Sequence, residues 1–72
     1  MTDSMRITVN GEPREVPRGT TVTALLSLLG ITPGRVAVEV NTRIVGRAEH
    51  QTVQLGPDDE VEVVTFVGGG SP

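Results

Sequence analysis

The sequence predicts an α+β domain in which one helix lies across a mixed sheet of about five strands, and three features of its 72 residues carry that expectation. Apolar and polar residues alternate in several short runs, as in strands with one buried face. One stretch repeats its apolar residues at helical spacing instead. Turn-forming pairs, above all Asn10-Gly11, separate the runs. Leu, Ile, Val and Phe supply 21 of the residues, above the roughly 20% below which chains tend to be disordered. The length suffices for one core and no more.

Met5, Ile7 and Val9 alternate with Arg6 and Thr8, which predicts a first strand. Asn10-Gly11 provides the positive φ angles of a tight hairpin, so Pro13 to Val16 returns as an edge-like second strand. After Pro17-Arg18-Gly19, Thr20 or Thr21 caps a helix whose Val22, Leu25, Leu26 and Leu29 fall on one face. Gly30 ends it in the left-handed conformation, and Ile31 folds back for the usual apolar contact. Val36, Val38 and Val40 form a third strand, and Asn41-Thr42 reverses the chain into a short fourth at Arg43-Ile44-Val45. Residues 46–56 are polar and without clear period. Pro57-Asp58-Asp59 is a turn signal before the last strand, Glu60 to Val67.

A ββαβββ order with a single helix buries both apolar faces only if that helix crosses the sheet. The most regular strands, first and last, are expected to pair centrally and in parallel, with the helix in the crossover. This is the β-grasp arrangement. Residues 1–67 form the domain, with 1–4 set aside as an extension, and 68–72 form a glycine tail followed by Ser71-Pro72.

The composition excludes much chemistry. There is no Cys and no Lys, so no disulfide, thiolate, Cys-based zinc site or Schiff base is available. The single His50 cannot make a multi-histidine metal site and is expected as a loop residue. A net charge of −3 with one aromatic argues against nucleic acid. No membrane span or signal peptide is evident, and a cytoplasmic location is expected. A core of this size supplies only about 3–5 kcal/mol, and an enclosed pocket of roughly 300 Å³ would remove side chains the core requires. A self-contained enzyme, with a resident cofactor or metal, is therefore not expected.

Along the last strand Val61, Val63, Thr65 and Val67 lie on one face and Glu62, Val64 and Phe66 on the other. One helix covers only one face. Val64 and Phe66 therefore either form a partner-binding patch or are buried by loops as satellite core. Leu28, off the main helical stripe, is either core or a partner contact, and core is favoured. Gly68-Gly69-Gly70 contributes no packing and is costly to order, but three residues without Cβ atoms extend about 10 Å and pass through a channel too narrow for side chains. On composition alone the run is equally well a frayed end or a linker.

Four segments together resemble the ThiS family of small ubiquitin-like sulfur carriers of thiamine biosynthesis. They are Met5-Arg6-Ile7-Thr8-Val9-Asn10-Gly11-Glu12, Gly19-Thr20-Thr21-Val22-Thr23-Ala24-Leu25-Leu26, Val36-Ala37-Val38-Glu39-Val40-Asn41, and Asp58-Asp59-Glu60-Val61-Glu62-Val63-Val64 before the glycines. The resemblance covers residues 5–70, and MoaD, the related molybdopterin carrier, is its nearest rival. It implies that a ThiF-type E1-like adenylyltransferase activates the Gly70 carboxylate with ATP-Mg. Persulfide sulfur from a donor such as a cysteine desulfurase then gives the thiocarboxylate, which a ThiG-type thiazole synthase consumes. It also implies that Gly69 partners Gly70 in the diglycine, that Gly68 lengthens the reach, and that Val64 and Phe66 dock the enzymes. The carrier is then a cosubstrate, expected as a monomer, with no bound cofactor.

The sequence departs from the family pattern at both ends. Met1 to Ser4 precede the usual start. Ser71-Pro72 follows Gly70 and ties its carboxyl into an amide. Three explanations compete: an expression scar, a cap that a tail-trimming peptidase removes, or a lost carrier role. The removable cap is favoured, and it brings in a cysteine-pathway or secondary-metabolite carrier. From another class, the alternative is a ubiquitin-like interaction module with an inert tail.

Overall fold

Alternation along the first strand buries Met5, Ile7 and Val9 on one side of β1 (Ser4–Val9), and the computed structural model describes residues 3–32 and 34–66 around it. Asn10 and Gly11 take φ of 51° and 84°, returning the chain into β2 (Glu12–Pro17), which pairs antiparallel with β1 over its whole length. The expectation that residues 1–4 stand apart is corrected at its end. Ser4 opens β1, and the Asp3 carbonyl accepts a hydrogen bond from the Arg18 amide.

Helix α1 (Val22–Leu28) buries Val22, Leu25 and Leu26. Between the two candidate caps the structure selects Thr21, whose hydroxyl accepts from the Ala24 amide at 3.1 Å. Thr20 is buried instead, donating its hydroxyl hydrogen to the Pro17 carbonyl. At the other end Gly30 (φ 73°) donates to the Ser27 carbonyl and Ile31 to that of Leu26. This pair of bonds defines a Schellman motif, and Ile31 packs on the core as expected.

Strands β3 (Val36–Val40) and β4 (Arg43–Val45) form the second hairpin, and β5 (Glu60–Thr65) lies between β1 and β3. The sheet order is β2-β1-β5-β3-β4, with β1 and β5 parallel and the other pairs antiparallel. The helix covers one face, burying Val38, Val45, Val61 and Val63 against α1 and β1. This is the five-stranded β-grasp the sequence predicts.

The aperiodic stretch between β4 and β5 contains a 3-10 helix, Arg47–Glu49, which the sequence did not announce. It completes the helix N-terminus. The Val22 amide donates to the Val53 carbonyl and the Thr23 amide to that of His50, so with Thr21 the free amides of the first turn are all satisfied. His50 is a loop residue as expected, and a buried one. It is 5% exposed, and its Nε2 lies 3.2 Å from the Val45 carbonyl; a carbonyl only accepts, so this hydrogen bond requires the tautomer with N–H at Nε2.

Candidate functional site: the open sheet face and the chain exit

Strand β5 carries the candidate residues, and its pairing with β3 fixes which side chains share the uncovered face. Glu62 stands opposite Glu39, and Glu39 in turn opposite Ile44 of β4; Val64 stands opposite Ala37. Beyond the strand, the Phe66 amide donates to the Arg35 carbonyl at 2.8 Å, extending the ladder by one row. Val64 is 53%, Phe66 57% and Ile44 75% exposed. Among the described residues no loop buries Phe66, so the satellite-core reading of that residue does not hold. Leu28, favoured as core from the sequence, is also exposed, because α1 turns it away from the sheet. Ile44 was not singled out from the sequence. Its alternation with buried Val45 was the available signal.

Two asparagines hold β5 in place. Asn10, at the turn after β1, accepts from the Val63 amide with Oδ1 at 2.8 Å and donates from Nδ2 to the Val63 carbonyl at 3.2 Å. Its own amide donates to the Val61 carbonyl. The side-chain amide therefore supplies one further step of pairing to β5 after β1 itself has turned away. At the start of β5, Asn41 does the equivalent from the other side: its Oδ1 accepts from the Glu60 amide at 2.9 Å and its Nδ2 donates to Asp59. The sequence marked both only as turn residues.

Where the chain leaves β5, an open cleft of about 710 Å³ is lined by Gly30, Ile31, Thr32, Gly34, Arg35, Arg47, Thr65 and Phe66. Arg47 reaches across from the 3-10 helix, and its Nη2 donates to the Gly34 carbonyl at 3.1 Å. Gly68, Gly69, Gly70 and the following Ser71-Pro72 lie outside the described residues. Among the described residues no three His, Asp or Glu side chains are grouped to hold a metal ion, and no helix is long and apolar enough to cross a membrane.

One helix on a five-stranded mixed sheet with parallel central strands defines a small ubiquitin-like protein of β-grasp architecture. The ThiS family model matches residues 7–70. A crystal structure of the thiamine biosynthesis protein ThiS from Geobacter metallireducens superposes with a TM-score of 0.77 at 36% identity, over 92% of this chain and 100% of that one. Thiazole synthases of Magnetococcus marinus and Paramagnetospirillum magneticum are 48% and 42% identical over 66 and 67 residues, 92% and 93% of this chain. The chain spans about a fifth of the length of those two relatives. It belongs to the ThiS family.

Proposed function

We propose that this chain is a protein cosubstrate that carries sulfur on Gly70, as a terminal thiocarboxylate, into the thiazole of thiamine. The observation that carries the reading is the family match, which runs from Ile7 within β1 to Gly70. A carboxylate is a poor electrophile. An E1-like adenylyltransferase therefore activates it with ATP-Mg, and the outer sulfur of a persulfide, supplied by a donor such as a cysteine desulfurase, displaces AMP from the acyl carbon to give an acyl disulfide. A second thiol cleaves its S–S bond, leaving the thiocarboxylate on Gly70 and a new disulfide on the donor side. The carrier contributes a carboxylate and a surface, and the surface is the open face around Val64 and Phe66.

The thiazole synthase is the proposed acceptor enzyme. In the two relatives with that name, a segment similar to this chain occupies about a fifth of the polypeptide. Joining two partners in one chain makes their encounter intramolecular and raises the effective concentration, which is useful where the two must meet. The setting proposed is the cytoplasm, where the carrier is a monomer that visits its enzymes in turn.

Ser71-Pro72 favours one addition to this reading. With Gly70 in an amide, no carboxylate is available there, so a peptidase removes the two residues before activation. The decisive measurement is intact mass spectrometry of the protein recovered from its own cells, before and after incubation with ATP, sulfide and the E1-like enzyme. The expected result is loss of Ser71-Pro72 and replacement of one oxygen by sulfur at Gly70. A chain that still ends in Pro72 and is unmodified under both conditions would overturn the carrier reading in favour of a ubiquitin-like binding module.

A further inference from the structure

The open face is sorted by charge along β5. Its first half carries Glu60 and Glu62, with Glu39 directly opposite Glu62. Its far end carries Val64 and Phe66, with Arg35 beside Phe66 and Arg47 across the cleft. None of the chain's nine acidic residues lines this cleft, although the protein as a whole has a net charge of −3. The only ion pair among the described residues is Arg18 with Asp3, at the opposite hairpin. Arg47 is also fixed by its bond to Gly34, so one of the two guanidinium groups is held at the cleft wall instead of trailing in solvent.

Two guanidinium groups without a carboxylate partner among the described residues, beside an exposed aromatic, suit a carboxylate-bearing protein loop better than a bare inorganic anion. The guanidinium fork takes carboxylates two hydrogen bonds at a time. The Phe66 and Ile31 walls offer nothing to an anion but do accept apolar side-chain atoms. We propose that the cleft receives an acidic loop of the enzyme that activates the tail, with Arg35 and Arg47 binding its carboxylates and Phe66 taking its apolar contact. The inference rests on the carrier reading and names the chemistry of the partner's side of that contact. The same charge sorting gives the docked carrier a direction: the acidic half of β5 is repelled by the loop that the basic end attracts. The residues after Phe66 that lead to Gly70 span at most about 13 Å when extended. The enzyme's adenylation centre must therefore lie within about that distance of the point where Phe66 docks.

The test is the affinity of the full chain for the E1-like enzyme, measured by titration calorimetry at low and moderate salt. Arg35→Glu with Arg47→Glu should weaken binding by about tenfold or more and flatten its salt dependence, since exposed charge pairs are salt-screened. Arg35→Lys with Arg47→Lys should retain most of the affinity, and Arg14→Glu on the distant edge strand should stay within about twofold, as expected for a charge outside the contact. Arg47 also bonds Gly34, so Arg35→Glu alone separates recognition from any disturbance of that loop, and thermal unfolding checks that each variant is folded. If the parent binds and the double Glu variant binds within twofold of it, the cleft proposal is overturned and the carrier reading stands. If the folded parent does not bind the enzyme at all, both fall.

Discussion

Asn10 performs two tasks with incompatible demands on most side chains. Its backbone sits at φ 51°, a region asparagine enters more readily than other non-glycine residues, and its amide group must then reach the Val63 backbone as donor and acceptor at once. Glycine would satisfy the first demand and forfeit the second. Asn10→Gly therefore isolates the clamp, and it should cost about 1–3 kcal/mol in urea unfolding, because the half-buried Val63 amide loses its partner. Amide exchange at Val63 should accelerate with it. A loss below about 0.5 kcal/mol, the scatter of ordinary surface changes, would mean that water replaces the side chain without penalty. The clamp matters beyond stability. It secures β5 immediately before Val64 and Phe66, so the residues proposed to dock are presented by a strand held from both sides.

At the scale of elements, the two hairpins apply the same turn with unequal chemistry. Asn10-Gly11 places the residue types that a turn with two positive φ angles favours, whereas Asn41-Thr42 puts a β-branched residue at φ 69°. Thr42→Gly should stabilise the protein by about 0.5–1 kcal/mol, the relief of a left-handed β-branched residue less the entropy glycine adds to the unfolded chain. A higher midpoint in chemical unfolding with unchanged slope would establish it; a lower one would show that the Thr42 side chain contributes more than its backbone costs. The elements themselves were legible because period-two runs, a helical stripe and Asn-containing turns each report a local preference. The central parallel pairing of the first and last strands followed from their regularity, whereas the pairing of β3 with β5 was not legible. What the sequence concealed was tertiary in origin. The 3-10 helix at Arg47–Glu49 is selected by the helix N-terminus it completes, His50 is buried by that packing, and Leu28 is exposed because the helix turns it outward. The candidate face was legible at Val64 and Phe66 through alternation alone. The contributions of Asn10, Ile44 and the Arg35–Arg47 cleft required the strand register.

For the molecule as a whole, the covered face of the sheet carries the core and the open face carries the residues proposed to bind the partner. Val61 and Val63 are buried beneath the helix, while Val64 and Phe66, on the same strand or directly after it, remain more than half exposed. Folding a chain this small leaves about 3–5 kcal/mol to spare, so an apolar residue that works for both core and partner could not be altered for one without endangering the other. Placing the partner residues outside the core removes that coupling. Val64→Thr and Phe66→Ser should accordingly shift unfolding by no more than about 1 kcal/mol together, since each deletes contacts that are largely with solvent. Val64→Thr keeps a β-branched side chain in the strand, and Phe66 lies past its last residue, so neither change attacks sheet propensity. The same pair of changes should weaken binding to the activating enzyme by about tenfold or more, as removal of a buried aromatic anchor does. Measured side by side, unaltered folding with lost binding would assign Val64 and Phe66 to the partner. Lost folding with binding reduced only in proportion would instead make the open face part of what holds the domain together, and the enzymes would then have to dock elsewhere.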